Sequence, residues 1–286
     1  KVIVKVYPDS RSLWTALMRD EVDYATFIER EDYEVVKDDP TFRSFAIPLD
    51  SYYAIYYNLD DPILSDKRIR EAIAYGIDRK ALIEKVANGY GLECTGPFYP
   101  ESLGFNPSVK PYEYNPKKSL ELLKEAGWKD EDNDRILEKD GEELELRVLV
   151  DARSEIYKKI IMVLRQQLQE IGMKIKVVLY NDERELTEAF FKQYLPQVQI
   201  KLFPAGTNLK PNEARLEWYS KEPKRTGRLW VYKNKQVDSL FELGEIAPDK
   251  EKRKLIYQKI HKLIYAEQPA CFLYFPFVFH AVSAQF

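Results

Sequence analysis

Two histidines, two cysteines and a triplet of aspartates are the residues of this 286-residue chain whose types invite a search for chemistry. A Ser-His-Asp or Cys-His arrangement would need His261 or His280, and neither lies in a turn or at a strand end where such bases usually sit. His261 falls on a helix among lysines, which predicts a surface position. Cys94 and Cys271 are far apart and match no metal or redox spacing, so both are expected to be free and at least partly buried, with a disulfide between them as the minority reading. Asp130, Asp132 and Asp134 have the spacing of a calcium loop, but Arg135 stands where the glycine is needed and Gly141 where the twelfth-position glutamate is needed. That stretch reads as a hairpin turn. The 47 acidic residues supply close carboxylate pairs by chance, so pairs carry no signal. No catalytic residue, metal or cofactor is expected, and the chain reads as a protein that is not an enzyme. The rival from another class is an α/β hydrolase-like enzyme using His280; a structural or adhesion module, with no small-molecule cleft, is the third.

What the sequence does supply is aromatic surface. Tyr52, Tyr53, Tyr56 and Tyr57 fall in one short strand followed by Asn58, and alternation sends them to both faces. Phe203, Trp218, Tyr219, Trp230 and Tyr232 form a second group. Any one of these rings suits a core, yet two groups from separate regions also suit a closing cleft, where stacking and hydroxyl groups hold a ligand.

These residues are carried by α/β elements. Hydrophobic residues make up 45% and charged residues 32%, which places the chain among globular proteins. A net charge of -3 favours neither nucleic acid nor an anionic membrane. No apolar run reaches the length of a membrane span, and KVIVKVYPDS reads as a strand rather than a signal peptide. A helix capped by Ser10 follows, then two extended pieces broken near Pro48. Ser65 or Asp66 caps the first of two short helices with narrow apolar faces, Asp78 caps the second, and Gly89 ends it. After a long Gly- and Pro-rich loop comes a helix with Asn115 at its cap, Pro116 in its first turn and Gly127 after its end. From residue 143 a strand, a long helix and a strand follow one another as a βαβ unit that lacks a glycine-rich phosphate loop. A helix near 182–193 and a strand at 198–203 continue the pattern. Leu255, Ile256, Ile260, Leu263 and Ile264 predict the inner face of the last helix, and CFLYFPFVFHAV a final strand pair.

The stretch YYNLDDPILSDKRIREAIAYGIDRKALIEKVANGYG resembles the most recognisable segment of the family 5 extracellular solute-binding proteins of ABC importers, the group of oligopeptide-, dipeptide- and nickel-binding proteins. Asn58, Asp66, Arg68, Arg70, Ala72, Ile73, Ile77, Asp78, Arg79 and Gly89 stand where that family's pattern asks. GPFYP, YNPKKSLELLKEAGW and DKEKRKLIYQKIHKLIYAEQP fit as well, so the likeness runs over essentially the whole chain. It implies a two-lobed, type II periplasmic-binding-protein fold with an incomplete first lobe, truncated at its N-terminus. Residues 1–143 would end lobe one, 144–270 would form lobe two, and 271–286 would return into lobe one. The implied function is binding of a peptide-class ligand between lobes that close by hinge rotation, with delivery to ABC permease subunits. The implied location is periplasmic or extracellular, with an anchor possible in a preceding segment, and the implied state is monomeric.

One departure bears on the ligand. Peptide-binding members carry a tryptophan- and aspartate-containing motif in lobe two whose aspartate holds the peptide's α-amino group. Here Phe203 or Pro204 falls at the tryptophan and Thr207 at the aspartate. An oligosaccharide is therefore the alternative ligand, whereas nickel would want a histidine near the cleft. The expected ligand contacts are Tyr52, Tyr56, Tyr57, Asn58, Phe203, Thr207 and Asn208.

Overall fold

The computed structural model describes residues 1–181, 199–206, 211–221 and 232–285. The helix expected near 182–193, together with Thr207, Asn208 and Trp230, lies outside the described residues. The chain forms two compact units, one of residues 1–49, 90–92 and 276–286, the other of residues 50–89 and 93–275. The sequence-based boundary at 143/144 falls inside the second unit.

In the first unit, α1 (Ser10–Met18), β1 (Tyr24–Ile28), α2 (Arg30–Val36) and β2 (Phe42–Pro48) follow one another. The cap of α1 is Asp9, whose carboxylate accepts the Ser12 amide at 2.7 Å. Ser10, expected to be the cap, is the first helical residue, and its hydroxyl is donated to Glu29 at 2.6 Å. Residues 1–7 form no strand: Val2, Val4 and Val6 are exposed, because the alternating pattern meets no partner strand among the described residues. The core of this unit gathers Leu17, Ala25, Ile28, Val36, Phe279 and Ala281.

The second unit begins with β3 (Ser51–Tyr57), α3 (Lys67–Gly76), α4 (Arg79–Ala87) and the short β4 (Gly91–Glu93), which straddles the division between the units. It continues with α5 (Pro116–Glu125), the β5–β6 hairpin (Glu138–Lys139, Glu142–Glu143), β7 (Glu145–Asp151), α6 (Glu155–Glu170), β8 (Lys174–Tyr180) and β9 (Ile200–Gly206). A 3-10 turn (Pro211–Ala214), α7 (Arg215–Trp218), α8 (Lys235–Ile246) and α9 (Lys250–Glu267) lead into β10 (Ala270–Ser283). The N-terminal residues of β10 belong to the second unit and those from Pro276 onward to the first. Aspartate and asparagine carboxyl or amide oxygens cap the helices: Asp66, and not the alternative Ser65, accepts from Arg68 N, and as expected Asp78 accepts from Ala81 N and Asn115 from Lys118 N, each at 2.9 Å.

The sheet of the second unit runs β10, β3, β9, β7, β8. β3 is antiparallel to both β10 and β9, whereas β7 is parallel to both β9 and β8, with α6 as the crossover between β7 and β8. β3 is buried on both faces, and this decides what its tyrosines do. Ile55 and Tyr57 enter a core built with α3, α4, α5 and α6; Tyr52 and Ala54 enter another with Phe98, Trp218, Phe241, Tyr257 and Phe272.

Two arginines from the family-like stretch lie inside this packing. Arg70, 8% exposed, donates to the carbonyls of Leu64, Ser65, Glu267 and Gln268 at 2.7–3.0 Å. Burial lowers its pKa, but the carbonyl oxygens gather around its charge in place of water. Arg79, 3% exposed, donates to Phe272 O at 2.9 Å and to Ala74 O at 3.0 Å. Two of the charges on the α3–α4 pair are therefore structural: they fasten the helices to the end of α9 and to β10.

Candidate functional site

β7, β8 and β9 are parallel, so their carboxyl ends share one edge of the sheet, the edge outside which ligands collect in open α/β folds. β7 ends at Asp151, which pairs with Tyr180 at the end of β8. The Asp151 carboxylate accepts the Arg153 amide at 2.9 Å and is gripped by the same residue's guanidinium at 2.7 and 3.0 Å. That hydrogen-bonded guanidinium holds the carboxyl below the usual carboxylate range, and the more remote Lys201 ammonium adds to it. Ser154 then caps α6 by accepting the Tyr157 amide.

On β9, Lys201 is 3% exposed and stands opposite Leu149 on one side and Tyr56 on the other. The Tyr56 ring stacks on Trp218, with centroids 5.9 Å apart and planes 22° from parallel. Its hydroxyl is donated to Glu217 Oε2 at 3.0 Å, and the Tyr52 hydroxyl lies 3.1 Å behind it. Burial above all, and the Glu217 charge after it, raise the Tyr56 phenol well above its ordinary pKa and keep its proton in place. With that proton committed to Glu217, Tyr52 is the donor within the tyrosine pair. The result is a relay of hydroxyl groups ending on a partly exposed carboxylate beside an aromatic stack. Such a group can accept an ammonium, an amide N–H or a sugar hydroxyl.

The structure treats the sequence candidates unequally. Tyr52 and Tyr57 are 1% and 2% exposed and pack into the cores on opposite sides of β3, which leaves Tyr56 as the half-buried, polar member of the group. Asn58 shapes the turn after the strand, its Oδ1 accepting from Asp60 N at 3.2 Å and its backbone N–H donating to Gln199 O at 2.8 Å. Phe203 sits on β9 opposite Ala54. Glu217, Lys201, Asp151 and Arg153 were not singled out by sequence reasoning. The signal that could have found two of them is a strand ending in Asp-Ala-Arg-Ser, an Asx turn running into a helix cap.

The other chemistry-bearing residues fall as follows. His261 is fully buried, contrary to the surface position expected, because it shares a helix face with Tyr257, Ile260 and Ile264. Leu255, expected inside, is 66% exposed. His280 lies in the first unit with Nδ1 2.9 Å from the Tyr24 hydroxyl and its ring stacked on that tyrosine. Cys94 and Cys271 are free and buried, and burial raises both thiols, so neither is a thiolate. Carboxylate oxygens of Asp130, Asp132, Asp134 and Glu138 lie within 4.8 Å of one another. Each of these residues accepts a backbone N–H of the turn itself: Asp130 from Asn133 and Arg135, Asp132 from Asp134, Asp134 from Ile136, and Glu138 from Glu131.

The mixed sheet carries phenols, a carboxylate and a stacked indole on one of its faces, and comparison with known proteins gives the class of protein this scaffold belongs to. The family model for bacterial extracellular solute-binding proteins, family 5 (middle region), matches residues 1–222, and the chain belongs to that family. It is a family of solute-binding proteins and not of enzymes. The oligopeptide-binding protein AppA of Bacillus subtilis is 27% identical over 96% of this chain and 50% of the relative. The glutathione-binding protein GsiB of Escherichia coli K12 is 24% identical over 91% and 49%. The chain thus spans about half the length of the relatives it matches. Among solved structures, B. subtilis AppA in complex with a nonapeptide superposes with a TM-score of 0.73 at 24% identity, covering 98% of this chain and 55% of that one. An ABC transporter substrate-binding protein of Sinorhizobium meliloti reaches 0.80 at 20% identity, covering 98% and 56%. The fold shared with these neighbours is the α/β, type II periplasmic-binding-protein fold that the resemblance implied. Among the described residues no helix is long and apolar enough to cross a membrane.

Proposed function

We propose that this chain forms the ligand-holding part of an extracellular or periplasmic ABC-importer binding protein that takes a peptide-class ligand and closes over it by hinge rotation before docking on permease subunits. The observation that carries this reading is the Tyr52–Tyr56–Glu217 relay beside Trp218. A carboxylate so placed is a hydrogen-bond acceptor for a peptide's ammonium or amide groups, in a protein whose sequence carries Thr207 where other peptide-binding members carry an aspartate. The names of AppA and GsiB, an oligopeptide- and a glutathione-binding protein, support the ligand class.

Mass spectrometry of the purified protein, native and then denatured, tests this directly. A released molecule whose fragments differ by amino-acid residue masses supports the peptide reading. Hexose or pentose increments would replace it with an oligosaccharide. If nothing is released, titration with a mixed tri- to nonapeptide library follows, and no binding there rejects the peptide reading for this chain.

A further inference from the structure

We propose that His261 is a pH-sensitive latch: as a neutral ring it fastens the loop of residues 95–106 to α9, and once protonated it lets that loop go.

The hydrogen bonds fix which form of the ring fits. The Asn106 amide donates to Nδ1 at 2.9 Å, so Nδ1 must offer a lone pair. The single ring proton then sits on Nε2, which donates to Thr95 O at 3.0 Å, with the Thr95 hydroxyl 3.2 Å away. One imidazole thereby ties down both ends of the loop. The loop is pressed against the ring: a β-carbon on Gly96 would lie 2.5 Å from His261 Cδ2. The rings of Phe98 and Phe105 close over it, with centroids 5.7 and 5.4 Å away.

A second proton fits nowhere in this arrangement. It would sit on Nδ1, pointing at the Asn106 N–H, so that a donor faces a donor. It would also place a cation among phenylalanines. Burial accordingly holds the His261 pKa down at about 4, against the opposing pull of the Thr95 hydrogen bond. No charged side chain contributes to that depression. Of the titratable groups near the latch, Cys94, just after β4, and Tyr257, one turn earlier on α9, are raised by burial above their ordinary values, so they are neutral wherever His261 titrates; in the loop itself burial likewise raises Tyr99, and Glu101 is exposed. Two further fastenings, Gln258 Nε2 to Phe105 O at 3.0 Å and Asn106 Nδ2 to Gln258 O at 3.2 Å, do not titrate.

Release would be felt beyond the loop. Phe98 is 1% exposed and packs on Tyr257, and the neighbouring Tyr99 ring lies 5.8 Å from Phe275. Phe275 in turn lies 5.9 Å from Tyr52, the start of the hydroxyl relay to Tyr56 and Glu217. Any effect on ligand binding rests on the function proposed above; the release of the loop does not.

Amide hydrogen exchange of the chain between pH 7 and pH 4, corrected for intrinsic exchange, tests the latch. Opening should become easier about tenfold per pH unit below about 6.5, so protection at residues 95–106 should fall about a hundredfold or more by pH 4, while α6 stays protected. His261→Gln keeps a donor for Thr95 O and an acceptor for Asn106 N–H but has no proton to gain, and its loop should show no such step. Equal loop protection at pH 7 and pH 4 in the wild type, or the same step in the variant, overturns the proposal. Should the variant not fold, NMR titration of the His261 ring in the wild type decides: a midpoint near 6.5 rejects the latch, and one near 4 supports it. A loop step in a protein that binds no peptide at any pH would remove the ligand reading and leave the latch standing.

Discussion

The Arg79 guanidinium holds the Cys271 thiol from across the second unit's packing, Nη2 to Sγ at 3.1 Å. The same fork grips Phe272 O and Ala74 O, so one side chain ties the α3–α4 junction to β10. Lysine carries the charge but offers no planar fork. Arg79→Lys should therefore leave buried carbonyls short of donors and lower stability by about 3 kcal/mol. Urea unfolding measures this, and a loss under about 1 kcal/mol would mean that water replaces the fork. Cys271→Ser, which keeps a group able to accept from Nη2, should cost about 1 kcal/mol or less.

Gly172 ends α6 and launches β8 from a left-handed conformation, φ +79°. A β-carbon there would be strained by the backbone and would also come within 2.5 Å of Leu137 Cγ. Gly172→Ala should destabilise by about 2 kcal/mol or more, since both penalties act at once. Thermal unfolding would show it, and an unchanged midpoint would mean that Leu137 moves aside freely.

The buried histidine also makes global stability depend on pH, and the sign is fixed. Its folded-state pKa, about 4, lies below the ordinary 6.5 of an unfolded chain. Above pH 6.5 both states are neutral and His261 contributes no pH dependence. Between pH 6.5 and 4 the unfolded chain takes up the proton and the folded one does not, so stability falls as pH drops. Below about 4 both are protonated and the loss levels off at roughly 3 kcal/mol. The difference in unfolding free energy between wild type and His261→Gln, followed from pH 7 to pH 4, isolates this from the carboxylates. A constant difference would contradict it.

Where local chemistry sets an element, the sequence reads true. Asn115, Pro116 and Gly127 bracket α5, Asp66 and Asp78 open the α3–α4 pair, and the alternation around residues 143–180 yields a parallel βαβ unit. Burial set by distant segments is what could not be read. Lysines around α9 suggested an exposed His261, yet its spacing from Tyr257 and Ile264 was the better guide. The apolar alternation of residues 1–7 calls for a strand only if another strand lies alongside. Arg70 and Arg79 look solvated in a charged helix pair until the carbonyls of β10 and the end of α9 close over them. The relay at Tyr56 was half legible: the tyrosine was visible, but Glu217 reaches it across 161 residues of sequence.

That relay separates binding from stability, and the tyrosines of β3 provide the contrast. Tyr56 is half-buried, with its ring on Trp218 and its hydroxyl on Glu217, whereas Tyr57 is 2% exposed in the opposite core. Tyr56→Phe keeps the stacking and removes one hydrogen bond, so stability should change by about 1 kcal/mol or less. Peptide affinity should drop about fivefold to tenfold, because Glu217 is no longer held in place for the ligand. Tyr57→Ala, by comparison, opens a cavity and should cost about 3–5 kcal/mol before binding can be measured. Calorimetric titration with the co-purified ligand, paired with unfolding curves, reads both quantities. If Tyr56→Phe loses stability as heavily as Tyr57→Ala while its folded fraction binds normally, Tyr56 is a packing residue and the ligand site lies elsewhere on the protein.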